Sequence, residues 1–350
     1  MREWSGGEAD DIRCSRCSRC SRCSRCSRCP DGEFRGRTIA LERLFHGYYR
    51  QWRQKRAQST QHMSKHLPLG FNQQAYPPVC VLTTWTVDGP EALAAALAWL
   101  YLRKERHAER VIQALEPGRA SLPGQVVENA IETLSVRIDD IADALASADA
   151  EVRKRAEATR DTRVEHRDGL FFQHISWIAA HMRFPNAKAT PPHVRQADKG
   201  FDGVLLEVDP AQAALSRIVL CEDKASIRPR ALVTQSIWPE IKLIQASKKD
   251  REILAALTAI LDTMPGVDQE AVIDATEWRG ARQFRVALTA GDDQIREGGY
   301  QHIFAGFEGA AGGAVEARIA EVMPMNDVRP YLEDLAGRVV DVLRDKRAHV

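Results

Sequence analysis

Two short apolar runs in the second half of the chain constrain its fold most strongly. They cover residues 201–208 and 217–224, and both are rich in valine, isoleucine and leucine. Asp209-Pro210 and an alanine-rich stretch separate them, which is typical of two strands joined by a turn. Because helical segments precede and follow these runs, we expect an α/β fold with a central sheet flanked by helices.

Other segments predict further elements of this fold. Strand-like runs are short and β-branched, whereas helical segments are longer and repeat their apolar residues every three or four positions. The other predicted strands are residues 79–85, 282–289 and 317–322, and the predicted helices include residues 91–115, 169–182, 250–261 and 328–343.

A heptad pattern indicates one more long helix between residues 125 and 152. Its apolar residues alternate spacings of four and three, which is typical of a helix that buries one stripe against a second helix. The second helix is either that of another copy, which would make a homodimer, or the helix at 91–115, and we favour this intramolecular hairpin. The seam consists of Val127, Ile131, Leu134, Ile138, Ile141, Leu145, Ala148 and Val152.

Length and composition predict a globular protein with a low-complexity beginning. Of 350 residues, 44% are hydrophobic and 28% are charged, which is enough apolar material for one large or two medium domains. Charges become dense after Ala148, so we expect a domain boundary near residue 165. The predicted division is a disordered tail at 1–62, with Met63 as an alternative start, an α-helical domain at 63–165, and an α/β domain at 166–350.

A tandem Cys-Ser-Arg repeat places six of the eight cysteines at a strict period of three between Cys14 and Cys29. Thiolates two residues apart bind zinc when a second pair follows a folded spacer. No spacer is present here, so we favour a disordered basic tail or a translated simple DNA repeat over a zinc site. The other two cysteines, Cys80 and Cys221, lie in apolar runs, where buried reduced thiols are expected.

The charge balance excludes a strongly basic protein. Lysine and arginine total 49 against 48 acidic residues, which leaves a net charge of +1, so any nucleic-acid surface must be a local patch. No run approaches the roughly 18 apolar residues of a membrane helix, and the beginning of the chain lacks a secretory signal. We therefore expect a cytoplasmic protein without a membrane partner.

Three charged residues at the ends of the two central runs form the candidate site. Side chains alternate between the two faces of a strand, so Glu222 and Lys224 share a face while Asp223 points to the other. Asp202, at the beginning of the neighbouring run, is expected to bring its carboxylate to the same point. Asp202 and Glu222 would then offer the oxygen ligands that Mg²⁺ prefers.

The order Asp, a hairpin-length interval and Glu-x-Lys at the end of an apolar strand resembles the PD-(D/E)xK phosphodiesterase superfamily, which includes restriction endonucleases and Holliday-junction resolvases. The resemblance covers residues 165–250 and implies a restriction-endonuclease-like core with a central mixed sheet flanked by helices. It also implies that Asp202 and Glu222 bind Mg²⁺ or Mn²⁺ and that Lys224 is the catalytic lysine. Gln173 stands on the preceding helix where relatives often have a glutamate, and Gln235 matches a glutamine on the following helix.

Two departures from the family pattern affect these expectations. Phe201 precedes Asp202 where the motif has proline. Gln173 replaces a carboxylate with a neutral amide, so the resemblance supports one metal with Asp202 and Glu222 as its ligands. The alternative without any site is that Glu222-Asp223-Lys224 is an exposed strand end with a surface ion pair.

Basic residues around this site predict a surface for a phosphate backbone. Those expected to bind substrate are Arg195, Lys199, Arg228 and Arg230. The leading functional hypothesis is a magnesium-dependent nuclease acting on DNA, in bacterial restriction or anti-phage defence. One alternative is a protein that binds nucleic acid or a partner, such as a helicase, without cleaving. The other is a structural helical adaptor.

Overall fold

The computed structural model describes residues 67–122, 125–194, 201–209, 214–276, 278–296 and 299–347. Residues His62–Val350 belong to one compact unit. The Cys-Ser-Arg repeat, the rest of the predicted tail and the alternative start at Met63 lie outside the described residues.

The centre of this unit is a mixed β-sheet, which has seven strands among the described residues, in the order β1-β2-β7-β6-β5-β4-β3. The three central pairings, β2-β7, β7-β6 and β6-β5, are parallel. The outer pairings, β1-β2, β5-β4 and β4-β3, are antiparallel. The strands are β1 (Leu69–Tyr76), β2 (Cys80–Val87), β3 (Lys188–Ala189), β4 (Gly203–Asp209), β5 (Ala214–Lys224), β6 (Arg282–Ala290) and β7 (Arg318–Pro324).

Helices cover both faces of the sheet, which confirms the predicted α/β class with a central mixed sheet. They are α1 (Pro90–Tyr101), α2 (Glu105–Ile112), α3 (Val126–Leu134), α4 (Ala142–Leu145), α5 (Ala150–Arg183), α6 (Pro229–Leu232), α7 (Trp238–Gln245), α8 (Asp250–Leu261), α9 (Gln269–Ala275), α10 (Trp278–Ala281), α11 (Asp292–Arg296), α12 (Gly299–Phe304), α13 (Phe307–Ala311) and α14 (Val328–Arg347). A π-helical turn, Val233–Ile237, joins α6 to α7.

Alternation along the central strands divides their side chains between the two faces of the sheet. Leu220 of β5 and Val286 of β6 pack with α7 and α8 on one face. On the other face, Cys221 of β5 packs with Ala180 of α5, and Ala287 of β6 belongs to the core that contains α1 and α14. The helix α5 therefore lies on the face opposite to that of Leu220, and Cys221 of β5 points toward it.

The longest helix, α5, begins at a capped end and becomes buried toward its second half. The Asp149 side chain accepts hydrogen bonds from the backbone N–H groups of Glu151 and Val152, at 2.8 and 3.3 Å, which satisfies donors of the first turn. Most side chains before Arg167 are exposed, whereas Phe171, Phe172 and later apolar residues are buried. This second half carries Gln173.

The prediction of one long heptad helix is wrong, because the structure divides this range among α3, α4 and the beginning of α5. Helix α3 ends when Ser135 adopts an extended conformation, and α5 begins only after the Asp149 cap. Val127 and Leu134 are buried, but Ile138 and Val152 are 41% and 40% exposed. Local capping thus outweighs the apolar spacing, and neither the helical hairpin nor the coiled-coil dimer has a continuous seam.

Two further differences concern the first half of the chain. The predicted helix at 91–115 divides into α1 and α2 because Arg103 adopts a positive φ of 56°. The predicted boundary at residue 165 falls within α5, and strand β2 pairs with β7, so residues from both sides of it share one sheet. We find one compact unit where the sequence predicts a separate helical domain.

The two cysteines among the described residues are buried and not disulfide-bonded, as predicted. Burial raises the pKa of the Cys80 and Cys221 thiols to about 12, so both are protonated and unreactive at neutral pH. Within the described part of the chain, no helix has both the length and the apolar character that crossing a membrane requires.

Candidate active site

The antiparallel pairing of β4 with β5 brings the predicted charged residues together. Gly203, the first residue of β4, pairs with Cys221, so Asp202 immediately before it lies beside Glu222. Lys224 is the last residue of β5. The three side chains therefore meet where β5 ends and β4 begins, as the strand pattern predicts.

The Lys224 ammonium joins the two carboxylates. Its Nζ lies 2.5 Å from Asp202 Oδ2 and 3.3 Å from Glu222 Oε2. Those two oxygens are consequently no more than about 5.8 Å apart, the sum of the two distances. Asp202 and Glu222 are only 7% and 8% exposed, so the site differs from the exposed strand end that was the alternative interpretation.

Gln173 and a backbone amide fix the Asp202 carboxylate. Gln173 Nε2 donates to Asp202 Oδ1 at 2.5 Å, and the Asp223 backbone N–H donates to Asp202 Oδ2 at 2.8 Å. Together with Lys224, these donors satisfy both Asp202 oxygens. Gln173 thus lies where the sequence places it, and its amide acts as a hydrogen-bond donor to the neighbouring carboxylate.

Charge in the site is unevenly compensated, because one ammonium serves two carboxylates. Burial, together with the nearby Asp202 charge, raises the pKa of Glu222 to about 8. Burial lowers the pKa of Lys224, but the Asp202 and Glu222 carboxylates more than offset it, so that pKa stays above its usual value. At neutral pH the site therefore favours additional positive charge or a proton on Glu222.

A second group of charges is buried on the α5 face, directly behind the site. Arg285 of β6 donates to Asp223 Oδ1 at 3.0 Å and to Glu321 Oε2 at 2.6 Å, and Arg183 forms an ion pair with the other Glu321 oxygen. Burial, partly offset by Arg285, raises the pKa of Asp223 to about 6. Two acids and two bases thus compensate one another in the interior, as buried charges require.

Sequence reasoning did not identify this buried group. Arg285 and Glu321 each stand inside an apolar run, at central strands β6 and β7. A charge flanked by apolar residues in a predicted central strand indicates a buried, paired charge. That pattern was visible in the sequence, but its partners were not, because 36 residues separate Arg285 from Glu321.

The remaining predicted residues are not part of this cluster. Gln235 is exposed on the π-helical turn and makes no hydrogen bond to the three charged residues. Arg230 donates to the backbone carbonyls of Ile303 and Ala305, at 3.1 and 2.7 Å, so its guanidinium holds a loop. Arg228 is exposed. Arg195 and Lys199 lie outside the described residues.

Among the described residues, no group of three or more His, Cys, Asp or Glu side chains is arranged to hold a metal ion. Asp202 and Glu222 together supply two such carboxylates, one fewer than that number. Comparisons of the chain with models of protein families, with curated proteins and with solved structures give no match. Function must therefore be argued from the geometry of the site.

Proposed function

We propose that this protein is a metal-dependent nuclease that hydrolyses phosphodiester bonds of DNA. The observation that carries the proposal is the meeting of Asp202, Glu222 and Lys224 at one point, with Gln173 hydrogen-bonded to Asp202. These are four of the five residues for which the sequence resembles the PD-(D/E)xK superfamily, and the fifth, Gln235, lies away from them. The proposal includes a restriction-endonuclease-like core for the sheet and helices around them.

The carboxylate pair fits Mg²⁺ or Mn²⁺. Mg²⁺ in proteins is commonly bound by one or two carboxylates and completes its shell with water and substrate phosphate oxygens. The Asp202 and Glu222 oxygens are close, buried and already share one cation, the Lys224 ammonium. The raised pKa of Glu222 is consistent with this, because a divalent cation would supply the missing positive charge.

Asp202 and Glu222 would hold the ion, which when bound lowers the pKa of a water molecule and polarises the scissile phosphate. Gln173 and the Asp223 amide keep the Asp202 carboxylate in one orientation. Lys224 is about one-third exposed, so its ammonium can reach substrate and stabilise negative charge that develops on the phosphate.

Further parts of the hypothesis depend on the family resemblance alone. These are the restriction or anti-phage role and a helicase or other defence protein as partner. Arg228 is the exposed basic residue near the end of β5 that we propose for the DNA backbone. Arg230 is not included, because its guanidinium is engaged with carbonyl groups.

Cleavage of plasmid and linear DNA with Mg²⁺ or Mn²⁺ tests the proposal. We expect Lys224→Ala to lose at least about 100-fold in rate, because it removes a group that stabilises developing charge. The matched control is Lys242→Ala, an exposed lysine of α7 outside the site, which should cleave like the wild type. Chelation of the metal should stop both active proteins.

Two outcomes would contradict the proposal. Equal cleavage by the wild type and by an identically purified Lys224→Ala variant would assign the activity to a contaminant. Binding of DNA without cleavage by all three proteins would favour the non-catalytic binding protein, in which the same fold recognises nucleic acid or a partner.

A further inference from the structure

We propose that Arg285 is a positioning residue of the candidate active site, an inference that rests on the proposed nuclease function. Arg285, with Ser176 of α5 and Asp223 of β5, forms what we call the Arg285 clamp. The clamp fixes α5 against β5 so that Gln173 meets Asp202. None of its three residues belongs to the set that resembles the nuclease superfamily.

The clamp has direct contacts with both elements that build the site. Arg285 Nη1 donates to Ser176 Oγ at 2.9 Å and to Asp223 Oδ1 at 3.0 Å, and Nη2 donates to the Ser176 carbonyl at 3.3 Å. One guanidinium therefore holds a side chain and a backbone group of α5 together with a side chain of β5.

These contacts close a ring through the site. Gln173 and Ser176 are three residues apart on α5 and therefore lie on the same face. Gln173 donates to one oxygen of Asp202, and the Asp223 backbone amide donates to the other. The ring thus passes from Asp202 through Gln173, one helical turn, Ser176, Arg285 and Asp223 back to Asp202.

The ring gives Arg285 a role in geometry in addition to charge balance. Asp202 precedes β4, so its own strand does not fix the carboxylate. The position of α5 relative to β5 decides whether the Gln173 amide reaches the Asp202 carboxylate. Arg285 fixes that position through the hydroxyl and the carbonyl of Ser176. Residues that orient a metal ligand typically change metal affinity or activity 10- to 100-fold when mutated.

Substituting lysine for Arg285 separates its role in charge balance from its role in positioning α5. Lysine would retain the positive charge for Asp223 and Glu321, but it lacks the planar donor fork that also reaches both Ser176 groups. Arg282, three residues earlier on β6, provides a matched control. It is also buried, and it donates to the Ile244 carbonyl and pairs with Asp250, away from the site.

The experiment compares wild type, Arg285→Lys and Arg282→Lys with three measurements. The first is the thermal midpoint, the second is the Mn²⁺ concentration for half-maximal DNA cleavage, and the third is the NMR signal of the Gln173 side-chain amide. That signal is observed in protein labelled with ¹⁵N-glutamine and assigned with a Gln173→Glu variant. It reports the hydrogen bond to Asp202 whether or not the protein cleaves DNA.

We expect Arg285→Lys to move the Gln173 amide signal and to raise the half-maximal Mn²⁺ concentration about tenfold or more. Arg282→Lys should change neither, even if it lowers the thermal midpoint by as much. If Arg285→Lys does not fold, Ser176→Ala removes the hydroxyl while it keeps both ion pairs of Arg285, and the same two changes are expected.

The inference is overturned if the folded Arg285→Lys or Ser176→Ala protein keeps the wild-type Gln173 signal. It is also overturned if Arg282→Lys produces the same changes, because the effect would then follow from lost stability. If the wild type does not cleave DNA but the Gln173 signal moves only in the clamp variants, the positioning role is supported and the proposed nuclease function is not.

Discussion

At the scale of single residues, the candidate site is short of positive charge. Lys224 is the shared cation of Asp202 and Glu222, and Asp202 has two further hydrogen-bond donors in Gln173 and the Asp223 amide. Lys224 is the partner that the structure gives to the Glu222 carboxylate. Glu222 is therefore the carboxylate whose ionisation costs most, which makes it sensitive to pH.

Glu222 should make the metal-free protein less stable as the pH rises from about 6.5 to about 8.5. Its pKa is about 8 in the folded protein and near 4.5 when unfolded, so in this range the folded protein retains a proton that the unfolded chain has released. Asp223, with a pKa of about 6, has largely finished titrating below this range. His174 and His181, with folded pKa values of about 4 against 6.5 when unfolded, and Lys346, with a folded pKa of about 8 against 10.5, oppose part of this loss, because the unfolded chain binds more of their protons than the folded protein does.

Urea unfolding in the presence of EDTA at both pH values checks this prediction. Toward the higher pH, Glu222→Gln should keep clearly more of its stability than the wild type does, because it lacks the proton that the folded wild type loses. Glu207→Gln, at a partly exposed glutamate of β4 paired with Arg217, serves as control and should behave like the wild type. An equal loss in Glu222→Gln would assign the dependence to another group.

The sequence predicts the residues of the site better than their surroundings. Glu222 and Lys224 follow from alternation along one strand, and Asp202 follows from the adjacent strand of the same hairpin. The Arg285 clamp could not be predicted in this way. Ser176 and Arg285 are 109 residues apart, so their contact depends on how a helix packs across the sheet, which local patterns do not specify.

At the scale of elements, the two halves of α5 differ. Its first half is largely exposed, and its second half contributes residues to the candidate site. Its first half is held by the Asp149 cap and by Arg163, which forms an ion pair with Asp140 at 2.6 Å. Its second half is buried against the sheet and carries Gln173 and Ser176. Changes at the exposed end should therefore affect local stability and leave the site intact.

Substitution of the cap residue, Asp149→Ala, should destabilise the first turns of α5 by about 1 kcal/mol, because two backbone N–H groups lose their acceptor. Hydrogen exchange of the amides in the first turns measures the effect, and DNA cleavage should not change. Asp161→Ala, at an exposed position within the same helix, should shift stability by less than about 0.5 kcal/mol. A loss of cleavage in Asp149→Ala would mean that the two halves are coupled.

Element predictions succeeded where the local pattern agreed with tertiary packing. Helix α8 has the predicted bounds, Asp250–Leu261, and strands β4 to β7 lie within a few residues of the predicted runs. The heptad prediction failed at Ser135 and Asp149, which end one helix and begin the next. The apolar spacing there predicts one continuous helix, but the residues between the repeats end α3 and cap the start of α5.

At the scale of the whole molecule, one sheet connects the beginning and the end of the described chain. Strand β2 lies next to β7, with Val81 beside Ile319. In the hydrophobic core that contains α1 and α14, Leu93 and Leu97 of α1 belong to the same cluster as Leu332 of α14. No local pattern specifies a parallel pairing across so many residues, which explains why the sequence predicts two domains.

A fragment of residues 166–350 should consequently not fold cooperatively, because it loses α1, β1 and β2 and exposes the apolar side chains of α14. Urea unfolding followed by near-ultraviolet circular dichroism checks this, with the fragment 62–350 as control, which should show one cooperative transition. A cooperative transition in the shorter fragment would restore the predicted boundary near residue 165.

The buried group of Asp223, Arg285, Glu321 and Arg183 restricts how this sequence can change over evolutionary time. Replacing any one of these residues by a neutral residue leaves the group with a net charge that its remaining members do not compensate, which proteins rarely tolerate in the interior. Substitutions there must therefore arise in compensating pairs. In related sequences the four positions should vary together, so that a lineage keeps the whole set or exchanges it for an apolar one.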